Sequence, residues 1–96
     1  MTSDQARELL AIHRARIDEI DRQIRDLLNQ RTTVVEQIGR IKREAALPIY
    51  EPRREDQVFR NVMESNSGPL PSDALKRVFE RIIDEMRTVQ RDRMKD

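Results

Sequence analysis

The stretch ARELLAIHRARIDEIDRQIRDLLNQRTTVVEQIGRIKREAA, residues 6–46, contains no proline and a single glycine, Gly39. Apolar residues recur along it at Leu10, Ile17, Ile20, Ile24, Leu27, Val34, Ile38 and Ile41, mostly at steps of three and four. That spacing predicts one long helix with one buried stripe. About 40 residues at 1.5 Å each make a rod of roughly 60 Å. A compact domain of this length is only about 30–35 Å across. The rod exceeds its own monomer, so a second copy of the chain is expected to cover much of the stripe. Three cations lie on or beside it: Arg14, Arg31 and Lys42. Arg31 takes the step between Leu27 and Val34, where an apolar residue would fit. A long cation in a buried seam is costly unless paired, which predicts an anion there. Gly39 costs the helix about 1 kcal/mol against Ala. It reads as a close helix approach in preference to room for a ligand.

Outward from this helix, Thr2, Ser3 and Asp4 are candidate caps on its N-terminal side. Pro48 stops it on the other side, because the residue before a proline resists the helical region. Pro52 suits the first position of a second helix, predicted over about 52–65 with Val58, Phe59, Val62 and Met63 as its apolar face. Glu55 shares that face. It is either an anion favoured by the helix dipole in the first turn or a carboxylate looking into a site. Residues 66–71 are turn-rich, and Ser72 is the expected cap of a third helix over about 72–91. Its stripe is Leu75, Val78, Phe79, Ile82, Ile83, Met86 and Val89, and Gln90 continues it. By itself a Gln at a stripe's end reads as a half-exposed surface residue. The polar tail from Arg91 to Asp96 is expected to fray.

Composition fits an all-α chain: 36% hydrophobic, 39% charged and 3% aromatic residues over 96 positions. The length holds one domain, residues 1–96. A net charge of +1, with acids and bases interleaved, gives no footprint for nucleic acid. Without cysteine and with His13 as the sole histidine, neither a disulfide framework nor a metal site is expected. No apolar run reaches membrane-spanning length and no signal-peptide core is visible, so a cytoplasmic setting without membrane partners is expected.

Lys42 follows Arg31 by eleven residues, close to three helical turns, so both project from one face about 16 Å apart. Two long side chains at that distance can hold one small dianion between them. Lys42 stands out because the chain has three lysines against sixteen arginines. The alternative is a snorkelling cation at the helix end. Arg14 lies roughly 25 Å before Arg31 along the axis. It reaches the same ligand only from the partner's helix, in a two-fold dimer of antiparallel long helices.

The ordered set of these residues resembles the all-helical, AroQ-class (type II) chorismate mutases. The resemblance covers nearly the whole chain. It rests on an arginine near the start of a long helix, then Asn29-Gln30-Arg31, then Gly39-x-x-Lys42, then a short link with proline. Arg54-Glu55 follows in helix 2, and Ile82-Ile83-x-Glu85-x-x-x-x-Gln90 in helix 3. The resemblance implies an intertwined homodimeric helical bundle with shared sites. It implies a reaction without cofactor, the rearrangement of chorismate to prephenate in phenylalanine and tyrosine biosynthesis. By resemblance, Arg31 and the partner's Arg14 bind the substrate's two carboxylates. Lys42 serves a carboxylate and the ether oxygen, and Gln90 donates to that oxygen. Glu55 holds the ring hydroxyl, assisted by backbone near Glu51 and with Arg54 alongside. Two positions depart from some relatives, which have Asp at Glu51 and a small hydroxyl residue at Met86. The latter removes one possible carboxylate contact.

Such a site needs no acid, base or nucleophile. A pericyclic rearrangement asks for a held conformation and for donors aimed at the oxygen that gains charge. Rival readings are elimination of pyruvate from isochorismate on the same fold, a non-catalytic dimerisation module whose polar seam sets register, and a domain joined to other enzymes of aromatic amino-acid synthesis.

Overall fold

The computed structural model describes residues 1–94 and consists of three helices, α1 (Ser3–Glu44), α2 (Pro52–Glu64) and α3 (Ser72–Met94), with no strand among the described residues. The chain divides into two compact units. The first, Met1–Thr33, is the lead and the greater part of α1; the second begins at Val34 and holds the last turns of α1, the link, α2 and α3.

α1 opens on a reciprocal cap. The Gln5 N–H donates to Thr2 Oγ1 (3.1 Å) while the Thr2 N–H donates to Gln5 Oε1 (2.8 Å), a capping box that satisfies two orphan donors. Its exposed face carries local ion pairs such as Arg16–Glu19, which contribute little singly. Many of its apolar residues are exposed in the single chain, among them Ile12 (66%) and Leu27 (62%).

The C-terminal end of α1 is closed by backbone. Ala46 adopts a left-handed φ of 55°. The Leu47 N–H donates to the Lys42 carbonyl (2.7 Å) and the Ala46 N–H to that of Arg43 (3.2 Å). This is the Schellman arrangement, and it turns the chain two residues before Pro48.

Pro52 is the first residue of α2, where its missing N–H leaves nothing unsatisfied. The Val58, Phe59, Val62 and Met63 face of α2 is half-buried, and α2 packs on α3. Ile83 and Met86 of α3 form the buried core. Two local expectations need correction. Val78 is exposed rather than part of the buried stripe. Ser72 is the first helical residue rather than the cap, since the Leu75 N–H bonds to the Pro71 carbonyl and Ser72 Oγ accepts from Asn66 Nδ2 (3.1 Å). The tail is helical from Arg91 to Met94, where fraying was expected; Lys95 and Asp96 lie outside the described residues. No helix among the described residues is long and apolar enough to cross a membrane.

Candidate active site

Lys42 (8% exposed) and Gln90 (7%) are the buried polar or charged side chains among the described residues. A buried lysine must be paired. The closed end of α1 sends the link back past this side chain. Lys42 Nζ donates to the Ile49 carbonyl (2.9 Å) and lies 2.8 Å from Glu51 Oε1. Glu51 precedes Pro52 at the N-cap of α2 but makes no side-chain cap. Its carboxylate is turned to Lys42 instead. Lys42 is therefore not a cation snorkelling to water: its ammonium is fixed by two acceptors from the link.

Gln90 reaches the last turns of α1. Its Nε2 donates to the Val35 carbonyl (3.1 Å), and its Cγ lies 3.4 Å from where a Cβ on Gly39 would stand. Gly39 is thus the close helix approach that its cost implied. The Val35 carbonyl also fixes which end of the amide is the donor end, because a carbonyl accepts only from the NH₂ group. Lys42 follows Gly39 by three residues, so it stands one turn on along the same helix face. Gln90, coming from α3, thus meets α1 one turn before Lys42. Fixed donors of this kind stabilise an oxygen that becomes more negative during a reaction.

Glu55 is turned to α3. Its two oxygens accept from Arg87, Nε to Oε2 at 3.1 Å and Nη2 to Oε1 at 3.0 Å. Arg87 also donates to Asp84 Oδ1 (3.2 Å), and its guanidinium lies 5.1 Å from the centre of the Tyr50 ring. Arg54 is exposed and donates to Gln57 Oε1 (2.9 Å). Met86 is in the core with Ile83. Arg14 and Arg31 lie in the first unit, Arg14 exposed and Arg31 half-buried.

The structure therefore joins Lys42 to Glu51, Gln90 to the last turns of α1, and Glu55 to α3. Sequence reasoning missed Arg87, Tyr50 and the two backbone acceptors at Val35 and Ile49. Arg87 follows Ile83 by four residues and precedes Gln90 by three, which was enough to place a cation beside the stripe of α3. The carbonyls carry no sequence signal.

Residues 13–91 match the family model described as chorismate mutase type II. The chain is 40% identical over 84 residues to the bifunctional chorismate mutase/prephenate dehydratase of Neisseria gonorrhoeae, covering 88% of this chain and 23% of that protein. It thus spans about a quarter of that relative's length. Among solved structures, the chorismate mutase from Helicobacter pylori in complex with prephenate superposes with a TM-score of 0.85 at 29% identity, covering 93% of this chain and 97% of that one. Form II of the chorismate mutase from Thermus thermophilus gives 0.84 at 29% identity, over 85% and 93%. Because the family model takes in most of the chain, with Lys42 of α1 and Gln90 of α3 both inside the match, this chain belongs to the type II chorismate mutase family.

Proposed function

We propose that this chain converts chorismate to prephenate as an intertwined homodimer with two shared sites. The observation that carries the reading is the burial of Lys42 and Gln90, each held by a backbone acceptor. The rearrangement is unimolecular: one C–O bond breaks while one C–C bond forms, with no proton or electron exchanged with the protein. The site has to hold the enolpyruvyl arm over the ring and stabilise charge growing on the ether oxygen. Lys42 and Gln90 donate to that oxygen. Donors that strengthen in the transition state raise turnover, whereas even carboxylate binding chiefly lowers KM.

In this reading Arg31 and the second copy's Arg14 bind the two carboxylates, for which arginine has bidentate geometry. Glu55 accepts from the ring hydroxyl, with Arg54 and the backbone at Glu51 alongside. Met86 supplies an apolar wall. The exposed apolar stripe of α1 supports the dimer, since burying it against a second copy removes that surface from water. The setting is the cytoplasm, and the role is in phenylalanine and tyrosine synthesis. That the gonococcal relative joins a chorismate mutase to a prephenate dehydratase supports this role.

The test follows chorismate loss by absorbance and identifies the product. Prephenate is expected. Pyruvate released from isochorismate, with chorismate untouched, would replace this reading by the lyase; no turnover of either would leave a helical dimerisation module.

A further inference from the structure

We infer that Arg87 is a positioning residue for substrate recognition, orienting the Glu55 carboxylate through a two-point fork. The inference rests on the mutase reading, in which Glu55 accepts from the ring hydroxyl. A carboxylate on a free side chain turns about its terminal bond and offers its lone pairs in no fixed direction. Here both oxygens of Glu55 are held by separate nitrogens of one planar guanidinium, at 3.1 and 3.0 Å. Two parallel bonds fix the carboxylate plane as well as its place. Neither side chain is freely solvated, with 28% of Arg87 and 19% of Glu55 exposed.

Arg87 is itself held. Asp84, one turn earlier on α3, accepts from Nη2, and the Tyr50 ring from the link lies against the guanidinium. The link residues on either side of Tyr50 are Ile49 and Glu51, the two partners of Lys42. One guanidinium therefore ties α3 to the carboxylate on α2 and to the link that holds the lysine. A lysine at 87 would keep the charge but would act as a point donor without the fork.

The experiment measures KM and kcat for chorismate in wild type, Arg87→Met, Arg87→Lys, Glu55→Gln and the Arg87→Met/Glu55→Gln double variant. A misoriented acceptor for the hydroxyl, a group that neither makes nor breaks a bond in the rearrangement, removes uniform binding. KM should rise about tenfold in Arg87→Met and kcat should change less than about threefold. Arg87→Lys, the variant that best preserves the fold, should also show a raised KM. Since Arg87 acts through Glu55, the double variant should be no worse than Glu55→Gln. A merely structural arginine lowers the active fraction, hence apparent kcat at unchanged KM, and its loss multiplies with that of Glu55→Gln. Either result, or a wild-type KM in Arg87→Lys, overturns the inference. Absence of chorismate turnover in the wild type overturns the mutase reading, and this inference with it.

Discussion

Lys42 Nζ lies 2.8 Å from Glu51 Oε1, an ion pair that closes the turn between α1 and α2 from the inside. The lysine side chain is buried, while the glutamate is about half exposed. The pair therefore fixes the ammonium without withdrawing it wholly from solvent or ligand. The ammonium donates to the Ile49 carbonyl and is balanced in charge by Glu51.

Lys42→Ala should lower kcat/KM for chorismate about 10²–10³-fold, the typical effect of removing one donor aimed at developing charge. The helical circular dichroism should be retained. Steady-state kinetics on folded variant checks it. A loss below tenfold would mean that Lys42 only ties the helix end to the link.

Gln90→Glu should make the rate pH-dependent. The wild-type amide donates at every pH at which the protein is folded, so its profile should be flat near neutrality. A glutamate at 90 donates only when protonated. Its reference pKa is about 4.3, and burial against the Val35 carbonyl would raise it. Lys42, one turn beyond Gly39, pulls the other way. For either balance kcat/KM of the variant should be highest below that pKa and fall as pH rises through it. A flat profile at wild-type activity would remove Gln90 from the chemistry.

The positions of the helices were legible because prolines and periodicity act locally. Pro48, Pro52 and the 66–71 turn mark the ends of elements whatever they pack against. Lys42 and Gln90 were legible as polar residues in apolar stripes. Whether each would be buried was not, because periodicity gives a face and not what covers it. Ser72 looked like a cap because its residue type fits, but its hydroxyl is engaged by Asn66 across the loop. The Glu55–Arg87 pair spans 32 residues, and nothing local to either residue names the other. The αL residue at the end of α1 was hidden because it is an alanine.

Arg14→Ala and Arg31→Ala should each be nearly inactive, yet mixing them should restore about a quarter of wild-type activity. With random exchange half the dimers are mixed, and each mixed dimer has one sound site of two. An affinity tag on one variant, which pulls down the untagged other only in mixed dimers, checks that exchange occurred. Verified exchange without recovery would place Arg14 outside a shared site, and an active monomer would remove the dimer from the mechanism.

Ala46→Gly should stabilise the protein by up to about 1 kcal/mol. The left-handed φ of 55° strains a residue with a Cβ by roughly 1–2 kcal/mol. The greater entropy of an unfolded glycine offsets part of that gain. The urea midpoint should rise at constant m-value; a lower midpoint would show that the entropy dominates.

Lys42 enters the helix end twice, accepting from the Leu47 amide through its carbonyl and donating to the Ile49 carbonyl through its side chain. Opening the last turn of α1 therefore releases the ammonium, and releasing the ammonium loosens the link that follows that turn. The two are one local opening event, so the Leu47 amide should exchange with deuterium only as fast as the lysine lets go. A bound anion that engages Lys42 should then slow exchange at Leu47 through the side chain of a different residue, making one backbone amide a clock for occupancy of the site.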